Sequence, residues 1–383
     1  MASKKLRIEH GNNEDDSNRS NSSNALRPSS SGEKMKEDMD ISPLDGDMLD
    51  IISKKLLSFD DLFNFSAVCK EWREVHKIYW KKFLESQSPL VVQTTPYAKK
   101  FYSFYSIPEK RAYCSKMSYF WGLYYSGSSS GYLIMAGANT LHLMNPFTRK
   151  QMIIDTSAVQ DNLFYYACHV LIAHVKGSNE FVIVALCESS SGLNVYQSRF
   201  SSWVPYSKRG KPWRVVDFVV LDNIIYVLTD KLEIGMLSLN STSVKLLELK
   251  NTPDVIHYWR LLQCDGKLLV VRFVPNAVLY VYRIDFATMS YVKLQSLGDL
   301  ALFFSPYKCY ALANPGEWGY ESNRVYSIKW PSAQCKVYSG SNNELMECIE
   351  LAGNREVLSR SRPYWRDWCF RNEHYEVDYS LVE

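Results

Sequence analysis

The chain has 383 residues, 46% of them hydrophobic, which is enough for one large domain and a small one. Its formal net charge of +3 gives no electrostatic argument for a nucleic acid or an anionic membrane as partner. The cysteines form no C-x-x-C pair, and the sequence shows neither a leader-like apolar segment nor an apolar run of membrane-helix length. We therefore expect free thiols, no metal site and a reducing compartment, the nucleus or the cytoplasm.

Residues 1–40 are predicted to form a disordered tail. The stretch SNRSNSSNALRPSSSGEKMKED is rich in Ser, Asn and charge and nearly free of aromatic and β-branched residues. Such a segment buries too little apolar surface to offset the entropy that ordering it would cost.

Residues 41–84 are predicted to form three short helices, because apolar residues recur there at helical spacing. Ser58 followed by Asp60 and Asp61 is typical of a helix N-terminus, where a hydroxyl caps and carboxylates suit the dipole. About 40 residues rarely fold alone, so we expect this unit to need a neighbouring domain or a partner helix. A small helical subdomain packed on the rest of the chain is the alternative interpretation.

The same stretch resembles an F-box in three segments: LDGDMLDII at 44–52, DL at 61–62 and VCKEWR at 68–73. F-box helices dock on the Skp-type adaptor of cullin-RING ubiquitin ligases, so the resemblance implies that adaptor, and through it a cullin, as partners. The family usually opens on Leu-Pro, whereas Asp45 stands at the proline position here. The residues to which the resemblance assigns adaptor binding are Leu44, Met48, Leu49, Ile52, Leu62, Phe65, Val68, Cys69 and Trp72.

Residues 89–370 consist of short apolar runs separated by turn residues, which predicts an all-β domain. Equivalent turns at Asp222 and Asp265 lie 43 residues apart, and those at Asn240 and Asp285 lie 45 apart. A period in the forties with four strands per unit is typical of β-propeller blades, of which about six would fill the span. An irregular all-β domain or a sandwich is the alternative. The expected fold class is α+β multidomain, with a three-helix F-box, a propeller-like domain and a C-terminal tail at 371–383.

The β-rich region also resembles the KIB-type domain that follows the F-box in a large plant family. SSGYLIM at 129–135 and LHLMNPFTRKQM at 141–152 match the start of that domain, with Tyr132 in place of a tryptophan and Arg149 in place of a glycine. VVLDNIIYVLTD and NRVYSIKW follow in the same order. The resemblance extends from residue 89 to 351 and implies a propeller-like domain behind an F-box.

No motif in the chain favours catalysis. GSSSG at 127–131 matches G-x-S-x-G formally, but a nucleophile elbow needs a helix directly after the serine, and the strand-like GYLIM follows instead. The seven histidines are thinly spread, and no carboxylate cluster or phosphate-binding loop accompanies them. We expect a non-catalytic protein without cofactor or metal.

The loop SKRGKPWR at 207–214 is the first choice for a recognition surface, because cations beside an aromatic side chain suit an acidic partner or a phosphate. A solvated loop between blades is the alternative. Its candidate target-binding residues are Lys208, Arg209, Lys211, Trp213 and Arg214. Together the two resemblances imply a substrate-recognition subunit of an SCF-type ubiquitin ligase that binds a target protein. A scaffold that binds and inhibits a partner without delivering it for degradation is the alternative function.

Overall fold

The computed structural model describes residues 44–56, 58–85, 89–94, 101–116, 123–137, 139–159, 167–187, 192–206, 213–255, 258–274, 277–305, 308–329, 332–351, 365–371 and 374–382. The predicted N-terminal tail lies outside these residues. From Leu44 onward the chain forms one compact unit, in which three helices precede a six-bladed β-propeller.

The helices of the described part are α1 (Gly46–Lys55), α2 (Phe59–Phe65) and α3 (Lys70–Glu85). As the sequence predicts, α2 begins where the Ser58 hydroxyl accepts a hydrogen bond of 3.3 Å from the backbone N–H of Asp61. Lys54 and Lys55 lie in the last turn of α1, where positive charge suits the negative end of the helix dipole.

The strands are numbered in chain order. The first seven are β1 (Leu90–Thr94), β2 (Phe101–Ser106), β3 (Arg111–Lys116), β4 (Tyr124–Ser129), β5 (Tyr132–Ala136), β6 (Thr140–Met144) and β7 (Gln151–Asp155). The next eight are β8 (Ala167–Val175), β9 (Phe181–Cys187), β10 (Gly192–Gln197), β11 (Ser202–Pro205), β12 (Val215–Leu221), β13 (Ile224–Thr229), β14 (Ile234–Ser238) and β15 (Ser243–Leu246). The last eleven are β16 (Trp259–Cys264), β17 (Lys267–Val274), β18 (Ala277–Asp285), β19 (Ser290–Leu294), β20 (Leu300–Phe304), β21 (Cys309–Ala313), β22 (Arg324–Ile328), β23 (Gln334–Ser339), β24 (Leu345–Glu350), β25 (Trp365–Cys369) and β26 (Glu376–Val377).

These strands form six sheets within the described residues, and each sheet is one blade. Blade 1 has the order β25-β1-β2-β3, so the chain closes the ring by pairing a late strand with the first one. Blades 2, 4 and 5 run outward as β4-β5-β6-β7, β12-β13-β14-β15 and β16-β17-β18-β19, and blade 3 runs outward as β8-β9-β10-β11 with β26 paired to the other edge of β8. Blade 6 has the order β21-β20-β22-β23-β24, with β20 and β22 parallel. A separate apolar cluster fills the space between each pair of neighbouring blades.

The repeat that predicts the blades corresponds to tight turns between strands. Asp222 and Asn223 join β12 to β13 with φ angles of 49° and 65°, and Asp265 and Gly266 join β16 to β17 with 50° and 66°. Positive φ at both central residues is the requirement of a type I′ hairpin turn, which Asp, Asn and Gly meet most easily. The 43-residue spacing therefore marks the same turn in two successive blades.

The six inner strands, β4, β8, β12, β16, β21 and β25, run in the same direction. Hydrogen bonds between neighbouring inner strands are consistent with this common direction. Near the starts of β12 and β16, the backbone N–H of Leu261 donates to Asp217. At the end of β4, the Ser129 hydroxyl accepts a hydrogen bond from the N–H of Ile172 in β8. We call the face of the propeller at which the inner strands begin the start face. The opposite face, at which the inner strands finish, is the end face. Turns such as 222–223 therefore lie at the end face.

Residues 374–382, which the sequence analysis placed in a C-terminal tail, pack on the propeller. Strand β26 pairs parallel with the end of β8 in blade 3. Beyond it, the N–H of Asp378 donates to the carbonyl of Asn223, and the Asn240 side chain donates to the carbonyl of Tyr379. The segment thus crosses the end face and joins blades 3 and 4.

Candidate protein-binding surfaces

The helical unit shares an aromatic core with blades 1 and 2. Phe59, fully buried at the start of α2, lies 5.7 Å between ring centres from Tyr113, 5.4 Å from Phe104 and 5.3 Å from Phe147. Trp80 of α3 closes the same cluster at 5.8 Å from Phe59. Large rings contribute most of the apolar area in such contacts, so the helices are held against the propeller rather than tethered to it.

Two arginines of the propeller fix the helices in place. The Arg111 guanidinium donates to the carbonyls of Lys54 and Leu56, which are left free at the end of α1. Arg149 reaches the Asp60 carboxylate at 3.3 Å and lies 4.1 Å above the Phe63 ring. Arg149 is the residue that replaces a glycine of the KIB-type pattern, and here it binds α2.

The helices attach at the end face. Arg111 is the first residue of β3, and the strand register connects it through Ser106 and Leu90 to Cys369, the last residue of the inner strand β25. Because inner strands end at the end face, Arg111 and the helices that it contacts lie on that side. The start face is therefore on the opposite side of the propeller from the point where the helices attach.

The residues assigned to adaptor binding divide into three groups. Leu49, Leu62 and Phe65 are buried, so their side chains form core, and Leu62 belongs to the cluster shared with blades 1 and 2. Half-buried members are Ile52, Cys69 and Trp72, and the Trp72 ring packs 4.5 Å from Phe65. Exposed members are Leu44, Met48 and Val68.

The exposed members belong to a larger apolar surface on the helices. Leu44, two residues before α1, and Met48 and Ile51 on α1 follow one another at helical spacing, and Met48 and Ile51 are 55% and 51% exposed. Val68 before α3 and Ile78 within it are each 59% exposed. Sequence reasoning missed Ile51 and Ile78, although the spacing of 44, 48 and 51 would have indicated Ile51. We call these five residues the helical apolar surface.

The candidate target-binding loop leads directly into an inner strand. Lys208, Arg209 and Lys211 lie outside the described residues. Trp213 is half-buried and packs on the core between blades 3 and 4, whereas Arg214 is exposed at the start face, where its backbone pairs with Asp230. Trp213 is therefore partly a core residue.

A polar cluster lies around the axis of the propeller, just inside the start face. Asp217 of β12 accepts hydrogen bonds from His169 Nδ1 of β8 at 2.8 Å and from the Leu261 N–H of β16 at 2.9 Å. Burial lowers the pKa of His169, which is therefore neutral with its proton on Nδ1. Burial raises the pKa of Asp217, but the hydrogen bond from His169, the charge of Arg260 and the hydrogen bond from the Leu261 N–H outweigh it and hold that pKa below its usual value. This carboxylate joins blades 3, 4 and 5.

A second buried carboxylate, Asp367 of β25, joins the other three blades. It accepts a hydrogen bond of 2.7 Å from the Tyr125 hydroxyl of blade 2 and another from the Ser305 side chain of blade 6. Burial raises the pKa of Asp367 to about 6 despite these bonds. Lys308 of blade 6 lies nearby, with its ammonium group 4.4 Å from the Tyr310 ring. The sequence analysis did not identify this cluster; its signal is the repeated Asp-aromatic pair near the start of β12 and β25.

The formal G-x-S-x-G match lies in β4 and in the turn that follows it. Ser129 accepts a backbone hydrogen bond from Ile172, and strand β5 begins directly after the turn, so the serine is not at a strand-to-helix elbow. In the described part of the chain, no group of three His, Cys, Asp or Glu side chains is arranged to hold a metal ion. No helix there is long and apolar enough to cross a membrane.

Comparison with known proteins identifies the propeller by sequence. The KIB1-4 beta-propeller family model matches residues 104–344, well over half of the chain. No curated protein matches. Similar solved structures include Citrobacter koseri AztD, 12% identical with a TM-score of 0.34 over 56% of this chain and 60% of that one, and its apo form, 12% identical with 0.35 over 58% and 59%.

This chain thus spans about 60% of the length of those two proteins. A nidogen/laminin complex chain is 10% identical with a TM-score of 0.41 over 74% of this chain and 99% of that one. These likenesses concern the fold alone. The family match and the six blades agree with the predicted propeller and with the KIB-type resemblance, and such a domain fits a protein-binding role. The chain belongs to the KIB1-4 beta-propeller family.

Proposed function

We propose that the chain is a non-catalytic substrate-recognition subunit of an SCF-type ubiquitin ligase. The helices act as an F-box that binds a Skp-type adaptor, and through it a cullin, while the propeller holds a target protein. Ubiquitin is transferred by other members of the complex, so this subunit contributes proximity: it raises the effective concentration of the target near the charged conjugating enzyme. The proposal needs no cofactor and fits the nucleus or the cytoplasm.

The observation that carries this proposal is the helical apolar surface. Leu44 before α1, Met48 and Ile51 on α1, and Val68 and Ile78 at α3 remain exposed, whereas Leu49, Phe59, Leu62 and Phe65 of the same helical unit are buried. Exposed apolar side chains that are concentrated on one part of a protein often mark an interaction site. An apolar helix stripe suits helix-in-groove recognition, which is how F-box helices are expected to meet the adaptor.

The arrangement of the two faces supports the proposal that the propeller holds a target protein. The helices attach at the end face, so an adaptor bound there leaves the start face free for a target protein. Arg214, which the sequence analysis selected for target binding, lies at the start face. The aromatic contacts around Phe59 hold the helices to the propeller, so the target would sit at a fixed orientation to the adaptor.

Adaptor binding is tested with the full chain and a purified Skp-type adaptor. Replacing Met48 or Ile51 by Asp puts a charge into the apolar surface, and we expect each change to weaken adaptor binding at least about tenfold. Ile153→Asp is the matched control, because Ile153 is 63% exposed on the outer strand of blade 2 and belongs to the propeller and not to the helices. Equal binding by all four proteins would show that the helices are not an F-box.

The alternative function, a scaffold that binds and inhibits a partner, depends on Asp45. The backbone of Asp45 has φ −58°, close to the value that proline requires, and its side chain makes no capping hydrogen bond to α1. Asp45→Pro therefore restores the usual F-box residue without straining φ. If the Asp45→Pro variant binds the adaptor and wild type does not, the natural chain is the scaffold. If wild type already binds the adaptor and supports ubiquitination of a captured target, it is the ligase subunit.

A further inference from the structure

A row of buried polar side chains crosses blade 1. Arg366 of β25 lies directly opposite Gln93 of β1, which lies directly opposite Ser103 of β2. Alternate residues of a strand share a face, and Val91 and Trp368, two positions away, pack in the core between blades 6 and 1. The row therefore faces blade 6, in the seam where the ring closes. Arg366 is 3% exposed, and Gln93 and Ser103 are fully buried.

The hydrogen bonds of this row use only part of its donors. Arg366 Nε donates to Gln93 Oε1 at 3.0 Å, which also fixes the orientation of that amide, and another guanidinium N–H donates to the carbonyl of Ser332 across the seam. Arg366 Nη2, Gln93 Nε2 and the Ser103 hydroxyl have no hydrogen-bond partner among the described residues. Buried polar groups normally have a hydrogen-bond partner. A row of buried donors without acceptors therefore requires an explanation, such as a bound ion or water.

The row carries a positive charge that the described residues around it do not balance. Burial lowers the pKa of Arg366 to about 10, and no carboxylate in the described part of the chain opposes this shift. The adjacent Asp367 does not serve as counter-ion, because successive side chains of a strand point to opposite faces and its carboxylate binds Tyr125 of blade 2. Both acceptors of Arg366 are neutral. A buried charge without a counter-ion is strongly unfavourable, and water supplies hydrogen bonds but no compensating charge.

We propose that the seam between blades 6 and 1 binds one small inorganic anion, held by Arg366, Gln93 and Ser103. The guanidinium and amide N–H groups and the serine O–H provide the multiple donors that an oxyanion such as phosphate or sulfate accepts. The depth of the three side chains excludes a peptide carboxylate or a phosphorylated side chain of a partner. Because the anion lies where β25 closes the ring, its binding stabilises the closed propeller.

The experiment measures anion binding to the full chain after exhaustive dialysis into a buffer of a large organic anion. Titration with inorganic phosphate, sulfate or chloride at constant ionic strength is followed by the thermal unfolding midpoint and by native mass spectrometry. We expect one anion per chain and a midpoint that rises with anion concentration, as for any ligand of the native state. Arg366→Gln should weaken binding at least about tenfold, because it removes the charge-assisted hydrogen bonds.

Two further variants make the result decisive. Ser103→Ala removes one donor, leaves the charge and packs like serine, so it should fold and bind several-fold more weakly; it decides the question if Arg366→Gln does not fold. Lys245→Gln removes an exposed charge from β15 of blade 4, on the opposite side of the ring, and should bind the anion like wild type. The proposal is overturned if no anion shifts the wild-type midpoint, in which case water satisfies the donors, or if Ser103→Ala and Lys245→Gln respond alike.

Discussion

Asp217 and Asp367 occupy equivalent positions on opposite sides of the ring. Each is the third residue of its inner strand, and each accepts a hydrogen bond at Oδ1 from the backbone N–H of the aromatic residue that follows, at 3.0 Å from Phe218 and 2.8 Å from Trp368. Each also accepts from the blades on both of its sides. Asp217 belongs to blade 4 and bonds to blades 3 and 5, and Asp367 belongs to blade 1 and bonds to blades 2 and 6. The two carboxylates together therefore connect all six blades at the axis.

The two carboxylates nevertheless have opposite electrostatics. His169 stabilises the ionised form of Asp217, whose pKa is low, whereas the hydroxyls of Tyr125 and Ser305 do not offset the burial of Asp367, whose pKa is raised to about 6. The donors differ in kind as well. A backbone N–H can only donate, but a hydroxyl can rotate and accept. Neutral replacements at the two positions should therefore have different effects.

We expect Asp217→Asn to destabilise the protein by about 2–4 kcal/mol at pH 7.5, since breaking a buried charged interaction leaves its partners unsatisfied. In one orientation the amide would turn its NH₂ group toward the backbone N–H of Leu261, and in the other toward the backbone N–H of Phe218, and neither backbone N–H can accept a hydrogen bond. Urea unfolding measures the loss. Asp222→Asn, at an exposed turn residue with positive φ, should change stability by less than about 0.5 kcal/mol. Comparable losses in both variants would contradict a role of Asp217 at the axis.

Asp367→Asn should be tolerated at pH 7.5, because the amide oxygen can face the Trp368 N–H and the NH₂ group can donate to a rotated Tyr125 hydroxyl. The folded pKa of about 6 exceeds the unfolded value of 3.8, so the wild-type carboxyl contributes stability below pH 3.8 and loses it as pH rises through 6. The variant should thus match or exceed wild type at pH 7.5, by at most about 3 kcal/mol.

That advantage of Asp367→Asn should shrink as the pH falls from 7.5 toward 4, because the wild-type carboxyl gains its proton over this range. Urea unfolding of both proteins at pH 7.5, 6 and 5 measures the difference in their free energies of unfolding. The contributions of all other titrating groups cancel in that difference. A constant difference across these pH values would mean that Asp367 is not held at a raised pKa. A loss at pH 7.5 as large as that of Asp217→Asn would also contradict the prediction.

His169→Gln should reduce the acid sensitivity of the protein. Burial keeps the folded pKa of His169 below the unfolded value of 6.5, so below that pH the unfolded chain binds the extra proton and wild-type stability falls. Lys308 and Arg260 also face this ring and oppose its protonation, while Asp217 favours it. Stability measured from pH 7.5 to 5.5 should fall less steeply in the variant, by at most about 1.4 kcal/mol per pH unit. Parallel curves would show that His169 titrates as an exposed histidine.

Much of the fold was predictable from sequence because its signals are local. The paired turns at Asp222 and Asp265 specify their φ angles through their own residues, and the cap at Ser58 needs only Asp61. The axial cluster was not predictable, because His169 and Asp217 meet only after two blades pack side by side. The division of the F-box-like residues into buried and exposed ones was not predictable either, because it depends on tertiary packing. Helical spacing marks Leu62 and Met48 alike, and only the contact with the propeller determines that Leu62 is buried.

Phe59→Ala should loosen the helices from the propeller. Phe59 lies between Phe104, Tyr113 and Phe147 of blades 1 and 2 and Trp80 of α3, and truncating a buried phenylalanine costs about 3–5 kcal/mol. Because its contacts join the two parts, we expect hydrogen exchange in α1 to α3 to accelerate more than exchange in β16 to β19 of blade 5, on the far side of the ring.

Phe200→Ala is the control for Phe59→Ala, because Phe200 is 62% exposed in a turn of blade 3 and its loss should leave exchange in the helices unchanged. The same pair of variants separates adaptor binding from rigid docking. If the helical apolar surface alone binds the adaptor, Phe59→Ala should retain binding while losing the fixed orientation between adaptor and propeller, which crosslinking between them would detect. Uniform acceleration of exchange through helices and blade 5 would instead mean that Phe59 supports the propeller as a whole, and that the helices are not a separately loosened unit.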